Sequence, residues 1–289
     1  MSTTATFIGF GEAGRAFAWS GAKAYDRKTA IAGARGEMLA AMAARGVASL
    51  ADPAELGQEQ AVLLLVTPDE ALASAHAYGP LIAPGALWFD MNSVAPGTKR
   101  LAAETIEAAG GRYVDVAIMA PVEPLRRNVP LLLAGPHTAA AAAYLGALGF
   151  TDIAVAGPRI GDASAVKMVR SVFVKGLEAI TAECLTAAAR AGILDAVVAS
   201  LSATAATPGW AEQADYDFGR MLSHGQRRAA EMEEAARMLE ELGVEPAMTR
   251  GTILLQRRLG ARTGEPPAGL AAKLAHALPR WNSVREPAA

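Results

Sequence analysis

The sequence predicts an α/β protein, with a doubly wound parallel sheet in the first half and helices alone in the second. Three observations carry this. Up to about residue 157, short β-rich runs alternate with alanine-rich stretches. After Gly157-Pro158, apolar residues recur at three- and four-residue spacing nearly to the end. A glycine-rich turn follows directly on the first β-rich run. The predicted domains are therefore 1–157 and 158–289.

The first strand, 5–9, is Ala-Thr-Phe-Ile-Gly; it begins almost at Met1, so no targeting leader is expected. A helix at 14–20 leads to a short strand at 23–25, and a second helix at 35–45 to the fully aliphatic strand 60–66. Helix 70–77, strand 87–91, helix 98–109 and strand 113–116 continue the alternation. Strand 131–134, helix 138–148 and strand 153–156 close the first half. The second half reads as helices at 162–191, 195–205, 210–222, 227–242 and 246–259. Breaks at Gly192, Thr207-Pro208-Gly209 and Gly243 fit helix-end chemistry. A Gly264-Glu265-Pro266-Pro267 loop follows.

Bulk properties narrow the function. The chain has 289 residues, 52% of them hydrophobic, and a net charge of −2. That balance argues against disorder and against an electrostatic grip on nucleic acid, leaving a small molecule as the expected partner. Aliphatic stretches such as Ala61 to Val66 fall far short of the ~20 residues of a membrane span, so no membrane is expected. The single cysteine, Cys184, permits no internal disulfide; it reads as a small buried hydrophobe and points to a reducing, cytoplasmic compartment. His76, His137, His224 and His276 show no ligand spacing, and no metal is expected.

The chemistry begins at Gly9-Phe10-Gly11-Glu12-Ala13-Gly14, a Gly-x-Gly-x-x-Gly turn between strand and helix. Gly9 permits the tight turn, Gly11 lets backbone approach a pyrophosphate, and Gly14 allows close helix–strand packing. This is the signature of a Rossmann-type dinucleotide site, with the phosphates at the positive end of the helix. The next strand ends at Tyr25-Asp26-Arg27-Lys28. Asp26 would accept hydrogen bonds from the ribose hydroxyls and repel a 2′-phosphate, which favours NAD. The alternative is that Arg27 and Lys28 hold a 2′-phosphate, which favours NADP. Val66-Thr67-Pro68 lies at the carboxyl end of an apolar strand, where open sheets bind ligands. Thr67 there is either a cofactor contact or a helix N-cap.

Two further motifs complete a family pattern. One is Asp90-Met91-Asn92-Ser93; the other is Gly161-Asp162-Ala163-Ser164-Ala165-Val166-Lys167-Met168-Val169-Arg170-Ser171. With the glycine turn, they make the chain resemble the β-hydroxyacid dehydrogenases, which include 3-hydroxyisobutyrate and 6-phosphogluconate dehydrogenases. The resemblance implies that Lys167 is the general acid–base, that Ser93 lies beside nicotinamide and substrate, and that Asn92 contributes to the cofactor site. Ser171 stands where the family usually has asparagine and, with Ser93, is the candidate catalytic-site residue that orients the substrate. The resemblance also implies a homodimer.

The spacing of Lys167, Ser171, Lys175 and Glu178, by four, four and three residues, puts them on one helix face. That stripe is expected to face an interdomain cleft, with Val166, Val169, Val172, Phe173 and Leu177 burying the other faces. As a base Lys167 must be neutral, so its pKa must fall from ~10.4 through burial or neighbouring cations such as Arg170 and Lys175.

The chain departs from the family at two places. Relatives carry a serine-glycine-glycine turn whose backbone donors help hold a substrate carboxylate; here the stretch is Met119-Ala120-Pro121-Val122-Glu123-Pro124. Prolines donate no amide hydrogen. Ile118, Met119 and Val122 then either shape a site for a bulkier, apolar or aromatic substrate or pack the sheet. The second departure is Ser223-His224-Gly225-Gln226-Arg227-Arg228, where relatives have a lysine-aspartate pair, and it marks a less-characterised branch with a divergent C-terminal domain. His224, Arg227 and Arg228 either bind an anionic group or form a capped helix with exposed arginines, Arg227 pairing with Glu231. Met119, Ala120, Pro121, Arg170 and His224 are the candidate substrate contacts. Val174, seven residues after the lysine, replaces the acid of the decarboxylating members.

The leading reading is an NAD(P)-dependent oxidoreductase acting on an alcohol or its carbonyl. The alternatives are an imine reductase, whose members generally replace the lysine, and a non-catalytic dinucleotide-sensing protein.

Overall fold

A computed structural model describes residues 4–190, 192–204, 209–241 and 245–277. The breaks expected at Thr207-Pro208 and Gly243, and the side chain of Cys184, lie outside the described residues. The chain divides into two compact units, 1–169 and 170–289.

The first unit is built on strands β1 (Thr6–Ile8), β2 (Lys23–Tyr25), β3 (Ala48–Ser49), β4 (Ala61–Leu64), β5 (Leu87–Asp90), β6 (Arg112–Ile118), β7 (Leu131–Ala134) and β8 (Ile153–Gly157). They form one sheet in the order β3-β2-β1-β4-β5-β6-β7-β8. The first six have the doubly wound order. Helices α1 (Glu12–Phe17), α2 (Ala32–Ala43), α3 (Ala71–Tyr78), α4 (Pro96–Ala108) and α5 (Thr138–Ala147) connect strands.

Neighbouring strands are parallel except β6 and β7, where Ile118 faces Leu131 in an antiparallel register. A parallel return needs a crossover, usually a helix. The stretch between β6 and β7 has only a 3-10 turn at Arg126–Asn128, so the chain doubles back instead.

Alternation along the strands builds a core on each face. Phe7 joins Phe10, Phe17, Val114, Val116 and Leu131 on one face. Ile8 joins Leu56, Val62, Leu64, Trp88 and Ile106 on the other. Covered on both faces, β4 and β5 are buried throughout, which explains their continuous apolar runs.

Helix α6 (Asp162–Arg190) starts in the first unit. Asp115 of β6 holds the helix's first turn within this unit. Its Oδ2 accepts the Gly161 and Ser164 amides at 3.1 Å each.

The second unit is helical, with α7 (Leu194–Thr204), α8 (Trp210–Glu241), α9 (Ala247–Gly260) and α10 (Leu270–Ala277). Where two helices were expected at 210–222 and 227–242, α8 runs through without a break. Gly225 serves packing there: a Cβ on it would lie 2.2 Å from the Gln256 carbonyl oxygen and 2.8 Å from Gly260 Cα. The two glycines let α8 and α9 touch backbone to backbone. Sequence reading also missed β3, of two residues, and α10, of eight; neither is long enough to show a period.

Candidate functional site

In parallel strands the carboxyl ends share one edge of the sheet, and the site residues of the first unit gather there. After β1, Gly9 takes φ +88° and donates its amide to the Tyr25 carbonyl at 2.9 Å. A Cβ on Gly9 would meet the Leu65 carbonyl oxygen at 2.3 Å, and one on Gly14 the Gly9 carbonyl oxygen at 2.7 Å. Gly11 is different: nothing lies within 4 Å of a Cβ built there. The turn is thus closed where chain packs on chain and open where a dinucleotide backbone would pass.

The residues between the glycines divide. Glu12 is exposed and Ala13 half-buried. The Phe10 side chain, read as part of the cofactor site, is fully buried in the core against Phe7. An aromatic ring gains more by that burial than at the rim, so only the Phe10 backbone faces the turn's hydrogen bonds.

Asp26, at the carboxyl end of β2, accepts the Phe10 amide at 2.8 Å and the Lys28 amide at 2.9 Å. It therefore braces the glycine turn and caps the 3-10 turn that follows. Arg27 is exposed but engaged, its guanidinium 2.6 Å from the Glu70 carboxylate. That partner, and the attendant hydrogen bond, raise the Arg27 pKa. Thr67 is exposed at the N-cap position of the Pro68–Glu70 turn, and its side chain makes no capping hydrogen bond. Val66 donates its amide to Asn92 Oδ1 at 2.9 Å. Asn92, read as a cofactor contact, is buried, and its amide group donates to Asp90 Oδ1 at 2.8 Å. A buried carboxamide needs partners, and here the scaffold supplies them.

Beneath this edge lies a buried charge cluster that sequence reading missed. Lys99, on the first turn of α4, has no exposed surface. Its ammonium lies 2.6 Å from the Asp90 carbonyl oxygen, 3.0 Å from Asp90 Oδ1 and 3.5 Å from Asp115 Oδ1. Asp90 also accepts from the Asn92 amide at 3.0 Å and the Tyr113 hydroxyl at 2.7 Å. Burial raises the Asp115 pKa, opposed by Lys99 and the helix amides. Burial first, then Asp90 and Asp115, push the Tyr113 hydroxyl well above its usual range. The signal was present: acids inside the apolar runs Leu87-Trp88-Phe89-Asp90 and Tyr113-Val114-Asp115-Val116 require buried partners.

Above the cluster, Lys167 on α6 donates a hydrogen bond to Ser93 Oγ, both side chains being half-buried. A lysine amine and a serine hydroxyl thus meet at the edge where the glycine turn opens. Nearby, Met119 is half-buried against Ala117, Ala134 and Ala163, and its amide is taken by the Pro130 carbonyl at 2.9 Å. Ala120 is half-buried and Pro121 exposed. Ile118 and Val122 belong to the core; of the two readings left open, they pack the sheet, so they line no apolar pocket.

The second unit holds its own buried charges. Lys175 Nζ is 2.5 Å from Glu231 Oε2, and Arg227 lies 2.6 Å from Glu231 Oε1. Burial lowers the Lys175 pKa, and Glu231 opposes the shift. Arg228 pairs with Glu178, which also accepts from Gln256 Nε2 at 3.1 Å. Arg228 was read as an anion contact or an exposed arginine; it is neither exposed nor at a helix cap, because α8 continues through it and turns it inward. His224 is half-buried, Ser171 buried and Arg170 exposed. Val166, Val169 and Phe173, expected to be buried, are 47%, 53% and 73% exposed.

Among the described residues no group of three or more His, Cys, Asp or Glu is placed to hold a metal. No helix there is long and apolar enough to cross a membrane.

Residues 188–259 match the model of a domain of unknown function (DUF1932). Over the whole chain, the protein is similar to a conserved hypothetical protein from Sinorhizobium meliloti 1021, with 35% identity, a TM-score of 0.74 and 96% of each chain covered. It is 30% identical to MTH1747, a conserved protein of unknown function described as structurally similar to 3-hydroxyacid dehydrogenases. That match has a TM-score of 0.68 and covers 89% of this chain and 96% of the other. At 15% identity the fold alone is shared with Mycobacterium tuberculosis 3-hydroxyisobutyrate dehydrogenase, with a TM-score of 0.73 and 95% and 99% of the two chains covered. The chain belongs to the β-hydroxyacid dehydrogenase-like family, in the company of these conserved proteins of unknown function.

Proposed function

We propose that the chain is a nicotinamide-dependent oxidoreductase that interconverts an alcohol and its carbonyl counterpart, with Lys167 as general acid–base. The observation that carries this is the hydrogen bond from the Lys167 amine to Ser93 Oγ, at the sheet edge where the Gly9-to-Gly14 turn leaves Gly11 open. The residues fit a dinucleotide: Gly11 for the pyrophosphate, Asp26 at the end of β2 for the adenosine ribose, and Thr67 and Pro68 at the end of β4. When bound, that cofactor supplies the acceptor or donor of hydride. Neutral Lys167 takes the hydroxyl proton as the alcohol is oxidised, and its ammonium returns one to the carbonyl oxygen in reduction. Ser93 fixes the direction of the amine and shares the substrate oxygen. A lysine in this place favours the alcohol–carbonyl reading over imine reduction.

The reading extends to three finer points. The reading favours NAD over NADP: Arg27 is engaged by Glu70, and the Asp26 carboxylate at the end of β2 would repel a 2′-phosphate. The substrate is not gripped by a backbone nest after β6, since Met119 spends its amide on Pro130 and Pro121 and Pro124 have none. The active species is a homodimer, to which the exposed Val166, Val169, Phe173 and Ile180 along α6 offer an apolar face; its compartment is the cytoplasm, in keeping with a single cysteine.

Three measurements check this. Reduced-nicotinamide absorbance across a panel from small hydroxy acids to aryl alcohols and their carbonyls should reveal turnover that Lys167→Ala lowers by ~10²–10⁴; undiminished turnover in the variant contradicts the acid–base role. Fluorescence titration should show NADH binding more tightly than NADPH, with Glu70→Gln narrowing the gap a few-fold, the modest effect of an exposed pair. An unchanged or wider gap contradicts the role given to Arg27 and Glu70. Light scattering should return the dimer mass; a monomer at working concentration contradicts the oligomer.

A further inference from the structure

Lys167 and Ser93 come from distant parts of the chain, and neither α6 nor the loop after β5 is anchored by them alone. Asp90 and Asp115 are paired across β5 and β6 in register. Asp90 holds the Ser93 loop through the Asn92 amide and side chain. Asp115 holds the start of α6 through the Gly161 and Ser164 amides, one helical turn before Lys167. Lys99 stands between the two carboxylates. The hydrogen bond from Lys167 to Ser93 closes the ring.

We propose that Asp115 and Lys99 are positioning residues: through this buried ring they set the Lys167 amine against Ser93, without touching substrate or cofactor. The inference rests on the function proposed for Lys167 and adds how that amine is held. Two features favour it over plain structural support. The carboxylate accepts the amides of the one helix that carries Lys167, where helix amides are otherwise unsatisfied and favour an anion. The ammonium of Lys99 binds the Asp90 carbonyl and carboxylate and lies 3.5 Å from Asp115 Oδ1, so it links the base of the Ser93 loop to the carboxylate at the foot of α6.

Asp115→Asn separates the links. An asparagine oxygen can still accept a helix amide, but its NH₂ group then faces the Lys99 ammonium, donor against donor. The test is trace labelling with acetic anhydride and peptide mapping, with exposed Lys28 as internal reference. In Asp115→Asn the relative labelling rate of Lys167 should rise on the order of tenfold, equivalent to ~1.4 kcal/mol of lost hydrogen bonding. Leu56→Ala, a cavity in the core on the other face, should lower thermal stability and leave Lys167 labelling unchanged. Unchanged labelling in Asp115→Asn, or an equal rise in Leu56→Ala, overturns the proposal.

The wild-type chain gives a second test that needs no variant. Its Gly161 and Ser164 amides should exchange with solvent as slowly as those in the middle of β6, and exchange at the rate of an exposed loop amide such as that of Glu123 also overturns it. Both readouts need neither substrate nor cofactor, so their failure is distinct from a failure of NADH to bind.

Discussion

A lysine ammonium with no exposed surface is tolerated only where the protein replaces its water, and Lys99 does so with two carboxylates and a carbonyl. Charges buried this way add little net stability, because desolvation offsets their attraction; losing one partner is what costs, typically ~3–5 kcal/mol. Such a cluster fixes geometry. It binds β5, β6, the first turn of α4 and the first turn of α6 at one point below the candidate site. The Ser93 loop and Lys167 are both suspended from it.

Much of the first unit was legible in the sequence because each of its devices is local. The glycine turn, the aliphatic β4 and the acid ending β2 are contiguous residues whose chemistry implies their neighbours. The helical period alone puts Lys167 on the same face of α6 as Ser171, across the boundary between the units. What could not be read is what depends on two distant segments meeting. Asp90 and Asp115 announce buried partners by standing inside apolar runs, but that Lys99 is the partner, and that the two acids share it, appears only when β5 and β6 are in register. Phe10 and Asn92, named with the cofactor site by their place in a motif, bury their side chains, one in the core and one against Asp90, which the motif alone does not show. The apolar Ile118 and Val122 admitted two readings, and only the packing of the sheet separates them.

The helical unit shows the same limit from another side. In one dimension residues 223–226 fall between two expected helices, and in three Gly225 among them is the point where α9 comes against α8 at Gly260. Arg227 and Arg228 are adjacent in sequence but point to different fates, one half-exposed on Glu231 and one buried on Glu178. That inward turn supports a structural role for Arg228 in its own unit, where it ties α8 to Glu178 of α6.

The central claim is that a nicotinamide dinucleotide lies across the glycine turn with its reactive ring at Lys167. A crystal structure of the chain grown with NADH tests it most directly. The account predicts pyrophosphate density against Gly11, adenosine ribose beside Asp26, and the nicotinamide ring in contact with Ser93 and Lys167. A dinucleotide bound with its ring away from that pair, or no dinucleotide at saturating concentration, would contradict it.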